Sequence, residues 1–133
     1  MGTNRGSAVD KYFAVVITIL VAFLFTFTLF FGCAEDPAAE DFARAEKLYE
    51  KGHYRDAAEG GRGFRSIATE YPESSLAPKA LYRSGTIYSL YLKEYDKAIE
   101  DFAYLIYYYP KHELAFDSQV EIAKIYMNRL GNY

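Results

Sequence analysis

From residue 36 onward, apolar residues recur three and four positions apart, which is the spacing of one face of an α-helix. Ala45, Leu48 and Tyr49 show this spacing in the first such stretch. Helix-start and helix-stop residues separate five stretches of this kind. The predicted helices run from Asp36-Pro37 to Gly52, from Arg55 to Tyr71, from Lys79 to Leu92, from an Asp96 cap to Pro110, and from Leu114 to Leu130. The chain is therefore predicted to be all-α.

The pattern repeats itself along the chain. The segment 88–95 matches 126–133 at an offset of 38 residues, and the same offset carries Tyr71-Pro72 onto Tyr109-Pro110. Paired positions keep their size and apolar character while the polar positions between them change, which indicates that packing maintains the repeat. A repeat of this length in a helical chain predicts an α-solenoid, in which helix pairs stack side by side.

Two irregularities interrupt the repeat. Three extra residues fall at 59–63, where three glycines predict a kink or a local unwinding of the second helix. Tyr133 aligns with Tyr95, so the last repeat is expected to have its first helix alone. Its apolar residues are then expected to lie uncovered, either because the sequence is a fragment of a longer array or because a partner docks there; these residues are Ile122, Ala123, Ile125, Tyr126 and Leu130.

The residues that recur in each unit resemble the tetratricopeptide repeat (TPR). The first unit has Ala45, Tyr49, Gly52, Tyr54, Ala57, Phe64, Ile67 and Pro72, and the second has Gly85, Tyr88, Tyr95, Ala98, Phe102, Leu105 and Pro110. The resemblance implies repeats over 41–133, divided at about 41–74, 75–112 and a half repeat 113–133. It also implies a non-catalytic scaffold that binds other proteins.

The first 33 residues have the order of a bacterial lipoprotein signal. Arg5 and Lys11 precede an apolar stretch from 13 to 31, which ends at Gly32 and Cys33. This layout predicts a signal peptide over 1–32, a lipid (palmitate among its chains) on Cys33 and a linker over 33–40. Phe30 and Phe31 depart from the usual lipobox, and the stretch is long enough for a retained transmembrane helix, which stays the alternative.

With that signal, the repeats resemble envelope TPR lipoproteins such as BamD of the β-barrel assembly machinery and the Tol-associated periplasmic coordinator. The resemblance implies an outer-membrane lipoprotein that faces the periplasm and binds envelope proteins or peptides. Two alternatives remain: an inner-membrane-anchored protein that organises an envelope or division complex, and a peptidoglycan-associated binding protein.

Composition argues against several classes of binding and catalytic site. A net charge of −3 argues against a nucleic-acid binder, which needs a basic face. A single cysteine excludes an internal disulfide, a zinc cluster and a CxxC redox pair. His53 and His112 fall in a turn and a loop with no nucleophile beside them. We therefore expect no catalytic residue, no cofactor and no metal site.

A peptide-binding groove is predicted on the first helices of the pairs, on the side away from their partner helices. The alternative is an ordinary solvated face. The predicted groove residues are Glu46, Tyr49, Tyr82, Thr86, Ser89, Val120, Lys124 and Met127. Tyr104, Tyr107 and Tyr108 are expected to be exposed, to contact either the next repeat or a partner.

Overall fold

The computed structural model describes residues 6–30 and 35–130, and it divides into two units, Met1–Glu35 and Asp36–Tyr133. The first unit contains helix α1 (Gly6–Phe30). Within the described residues, no helix combines the length and the apolar character that a bilayer crossing requires. The predicted lipidation site, Cys33, lies outside the described residues.

The second unit is helical, and the described residues contain no strand. The all-α expectation is confirmed. Its elements are α2 (Ala39–Glu50), α3 (Tyr54–Glu59), α4 (Phe64–Glu70), α5 (Ala77–Ile87), a π-helical segment (Tyr88–Leu92), α6 (Tyr95–Tyr108) and α7 (Glu113–Leu130).

Large side chains fill the space between the helices. Phe64, Tyr88, Phe102 and Leu105 are fully buried. Small residues beside them let the backbones approach closely, which is how helix pairs reach the short end of their packing distances. Gly85 is the tightest case: a Cβ atom there would lie 2.7 Å from Cε1 of Phe102. The α5–α6 contact therefore requires glycine at this position.

The glycine-rich segment divides the predicted second helix into α3 and α4. Helix α3 ends at Glu59 and α4 begins at Phe64, with a turn between them in which the Ser66 hydroxyl donates to the Gly60 carbonyl at 3.1 Å. The predicted unwinding is confirmed.

Left-handed backbone follows the first helix of both full repeats. Gly52, after α2, has φ 78°, and Lys93, after the π segment, has φ 58°. Glycine adopts this conformation without strain, whereas lysine does so at a cost of about 1 kcal/mol. The left-handed turn is thus part of the repeat even where the sequence lacks glycine.

Both predicted aspartate caps need correction. Helix α2 begins after Ala38, and Asp36 accepts the Ala38 N–H in a turn before the helix. Asp36 also accepts the hydroxyls of Ser74 and Ser75 at 2.5 and 3.0 Å, and these bonds, the Ser74 bond foremost, lower its pKa. Its role is to hold α2 to the next repeat.

Asp96 was expected to cap the fourth helix, but the N-cap of α6 is Glu94. Asp96 lies in the first turn, where its charge favours the positive helix end. Its Oδ1 accepts Nη1 of Arg129 in α7 at 2.9 Å. The aspartate therefore links two helices.

Neighbouring helices bury more of α7 than the sequence predicted. Ile125 is 2% exposed and Ile122 is half-buried, since α7 packs on α6 and α5. Ala123 and Tyr126 are exposed, as predicted. The expectation of an uncovered helix was therefore wrong for one side of α7 only.

A buried ion pair joins the two full repeats. Nε of Arg65 in α4 lies 2.8 Å from Oδ1 of Asp101 in α6, and the Asp101 side chain is 2% exposed. Burial raises the Asp101 pKa to about 6, although Ser84 and Arg65 both favour the charged form. The desolvation penalty of this carboxylate therefore exceeds the stabilisation of its charged form by Arg65 and Ser84.

We expect Gly85→Ala to lower the free energy of unfolding by about 1–3 kcal/mol, because the new methyl group would enter the buried Phe102 ring. Alanine's higher helix propensity acts in the opposite direction and is smaller. Urea unfolding followed by circular dichroism measures the change. Gly61→Ala is the control, since a Cβ at Gly61 meets no atom within 4 Å. Equal effects of the two substitutions would contradict the close approach.

The Asp101 carboxyl predicts a pH dependence of stability. Its pKa is about 6 in the folded chain against 3.8 for the free group, so the folded state holds the proton more tightly. The free energy of unfolding should therefore fall by roughly 1–3 kcal/mol as the pH rises from about 4 to about 6.

Asp101→Asn should lack this fall, and Asp117→Asn, on the exposed side of α7, should retain it. Glu59 acts in the opposite sense. Hydrogen bonds from Lys97 and Tyr88 lower its pKa to about 2, so its contribution to the free energy of unfolding is lost as the pH falls below about 4. The difference between wild type and Asp101→Asn isolates the Asp101 effect. Parallel pH curves for these two proteins would contradict the assignment.

Candidate peptide-binding surface

Helix α5 lies between α2 and α7, with an ion pair to α2 and charged residues of α7 close to Tyr82. Nε of Arg83 in α5 lies 2.8 Å from Oε1 of Glu46 in α2. Tyr82, also in α5, lies near Glu121 and Lys124 of α7, and burial together with Glu121 raises its pKa. Helices α2, α5 and α7 therefore contribute to neighbouring parts of one surface.

A cluster of three tyrosines lies where α2 meets the π segment. The rings of Tyr54 and Tyr91 stack with centroids 4.0 Å apart, and Tyr49 packs edge-on against both at 5.6 Å. The Tyr49 and Tyr91 hydroxyls are 2.8 Å apart. This hydrogen bond is the main cause of the raised Tyr49 pKa. The cluster is thus a set of packed rings with polar tips.

Arg83 extends the cluster towards α5. Its guanidinium carbon lies 5.6 Å from the centre of the Tyr49 ring, a cation–π distance. Tyr91 is 42% exposed and Leu90 beside it is 56% exposed. The cluster therefore presents ring surface, a hydroxyl and a cation to solvent.

Four predicted groove residues are exposed or half-buried and contact polar or charged neighbours. Glu46 and Tyr49 contact Arg83, and Lys124 forms an exposed ion pair with Glu121 at 2.6 Å. Thr86 is half-buried and donates its hydroxyl to the Tyr82 carbonyl at 2.8 Å.

The other four lie elsewhere. Tyr82 is half-buried with its ring centre 5.6 Å from that of Phe102, so it packs between α5 and α6. Ser89 is 9% exposed and offers almost no surface to a ligand. Val120 and Met127 are exposed on α7, on the side away from its buried residues.

Sequence reasoning missed Tyr54, Arg83, Leu90 and Tyr91. The π segment changes the direction of Tyr91, and one wide turn leaves no clear mark in the sequence. Arg83 left no clear signal either, because adjacent residues on a helix do not share a face.

The histidines have structural or solvent roles. His112 Nδ1 accepts the Leu114 N–H at 3.2 Å at the start of α7, and His53 is exposed before α3. In the part of the chain that the structure describes, no group of three or more His, Cys, Asp or Glu is placed to hold a metal ion.

The tetratricopeptide-repeat family model matches residues 79–112, which hold most of α5, the π segment and α6. Neither a curated protein nor a solved structure matched the chain. The match lies inside the predicted second unit, 75–112, and together with the all-helical body it supports a TPR-like fold. Repeats of this family typically serve as non-catalytic scaffolds for protein–protein interaction.

Proposed function

We propose that this protein is a non-catalytic adaptor that binds a peptide segment of another protein on the surface of its first helices. The peptide-binding surface consists of Glu46, Tyr49, Tyr91, Arg83, Leu90, Thr86 and Lys124. The tetratricopeptide-repeat match over α5 to α6 is the observation that carries the proposal.

The chemistry of the surface favours an extended or helical peptide over a small molecule. Tyrosine rings provide large contact area with few rotatable bonds, and arginine adds a directional donor. The ring cluster and Lys124 lie on different helices, so a ligand that contacts both spans more than one helix. A peptide meets that requirement.

The proposed adaptor is tethered at the cell envelope through lipid on Cys33. The order of basic, apolar and small residues before this cysteine supports that reading. We place the protein at the outer membrane, facing the periplasm, where its partners would be envelope proteins. Its resemblance to BamD and to the Tol-associated coordinator favours a part in outer-membrane protein assembly or in organising an envelope complex.

A double charge reversal tests the surface. We expect Arg83→Glu with Lys124→Glu to weaken recovery of bound envelope proteins at least about tenfold, because both cations lose their favourable contacts with a ligand. The control is Lys51→Glu with Lys111→Glu, two exposed turn residues with the same charge change. Quantitative mass spectrometry after photocrosslinking from Leu90 measures recovery, and circular dichroism checks folding. Equal recovery from both double variants would remove the surface assignment.

Intact mass tests the tether. We expect the protein isolated from membranes to lack residues 1–32 and to carry acyl mass on Cys33, and Cys33→Ala to retain Met1 and to gain no acyl mass. A wild-type mass that includes residues 1–32 would contradict lipidation and favour the retained transmembrane helix.

A further inference from the structure

A small cavity lies between α4, α5 and α6. Its volume is about 200 Å³, below the roughly 300–1,000 Å³ of pockets that hold whole drug-sized ligands. Buried residues form its floor and exposed residues form its rim: the floor has Ala68, Leu81 and Asp101, and the rim has Thr69, Glu100 and Tyr104. The cavity therefore has room for one extended side chain or for a short aliphatic ligand.

The cavity lies on the side of α6 that faces α4. There, Oδ1 of Asp101 lies 2.8 Å from Nε of Arg65. The 38-residue offset places Arg65 of α4 on Ala103 of α6, so a helix that packs on α6 as α6 packs on α4 contacts Ala103. At about 100° per residue, Ala103 is roughly opposite Asp101 on the helix. The floor of the cavity is therefore the same whichever element packs on the far side of α6.

The floor contains a carboxylate oxygen without a hydrogen-bond donor. The Asp101 side chain is 2% exposed, and Oδ2 has no hydrogen-bond partner among the described residues. Ser84 is close enough to favour the charged form of Asp101, but its hydroxyl makes no hydrogen bond of normal geometry. An ionised carboxylate has about four acceptor sites, of which Arg65 uses one. Because buried acceptors are rarely left without a donor, Oδ2 points to a ligand that donates.

The charges beside the cavity favour a cation. Asp101 and Glu100 both bond the single guanidinium of Arg65, each at 2.8 Å, so the ionised cluster has one negative charge in excess. An adjoining cleft that shares Arg65 adds the carboxylate of Glu70. An anionic ligand would lie against these carboxylates and be repelled by them.

We propose that this cavity binds a primary ammonium group at the end of an aliphatic chain, carried by a lysine side chain or by a free alkylamine. The three N–H donors of the ammonium meet three acceptors: Oδ2 of Asp101, the carboxylate of Glu100 and the hydroxyl oxygen of Thr69. The aliphatic chain lies on Ala68 and Leu81. Rotation of Glu100, whose side chain is 66% exposed, opens the way to Oδ2.

An ammonium suits the cavity better than a guanidinium. It is a compact charge on an apolar stem, whereas a guanidinium is planar and would lie beside the guanidinium of Arg65. The inference goes beyond the proposed adaptor function, since the cavity shares no residue with the peptide-binding surface.

Butylamine is the probe for this site, with butanol as its uncharged analogue, against the full-length chain in detergent at about pH 7.5. This pH lies above the Asp101 pKa of about 6, so the carboxylate is ionised. We expect butylamine to shift the NMR signals of the Ala68 and Leu81 methyl groups and to bind at least about tenfold more tightly than butanol.

Variants of the two carboxylates test the assignment. Asp101→Asn should weaken butylamine binding at least about tenfold, and Glu100→Gln, an exposed change that leaves the core intact, about threefold. Asp117→Asn, on the exposed side of α7, is the control with the same charge change and should leave the Kd unaltered. Arg83→Glu with Lys124→Glu should also leave it unaltered, so failure of the peptide-binding surface and failure of this cavity give different results.

Tripeptides with lysine or arginine between two glycines identify the source of the ammonium. A lysine tripeptide that binds at least as tightly as butylamine supports a lysine side chain of a partner protein, and weaker binding supports a free alkylamine. Equal binding of butylamine and butanol, or of the lysine and arginine tripeptides, would overturn the proposal. Unaltered butylamine binding by Asp101→Asn with unchanged circular dichroism would overturn it as well.

Discussion

The close approach of α5 and α6 at Gly85 is the constraint on which the stack depends. A fully buried Phe102 ring occupies the space that a side chain at Gly85 would need, and this fixes how near the two helices lie. Their separation in turn places α4 beside α6, and it places α7 beside α5 and α6. A small residue at one position thus sets the geometry of a hairpin and, through it, the direction in which the next hairpin packs.

Polar contacts between successive repeats then help to fix the register of the stack. Asp36 bonds Ser74, the Tyr109 hydroxyl donates to the Pro72 carbonyl at 2.9 Å, and Lys97 bonds Glu59. Each joins residues of neighbouring repeats. The exposed contacts among them add little free energy each. Their effect is to select one alignment among those that apolar packing alone would permit.

Structural features that follow from residue spacing or from a single residue type could be predicted from the sequence. The five helical stretches, the break at Gly60–Gly63 and the left-handed turn at Gly52 could be predicted because periodicity and glycine placement determine them. The Asp36 and Asp96 caps were misassigned because each side chain bonds a distant element in place of its own helix. The Tyr49–Tyr91 cluster could not be predicted, since it depends on a π turn and on two helices meeting. The burial of Ile125 was missed because α7 has apolar residues on two sides, and one of these sides packs on α5 and α6.

The π turn at Tyr88–Leu92 makes the direction of the Tyr91 side chain depend on the number of residues in that turn. A π turn holds one residue more than an α turn, so loss of Ser89, which lies in this turn but outside the proposed surface, would restore regular winding and rotate the neighbouring side chains by about 100°. Tyr91 would then leave the ring cluster while the rest of α5 kept its packing. Ligand preference in this fold can therefore change through a one-residue deletion, with no alteration in the identity of any residue that touches the ligand.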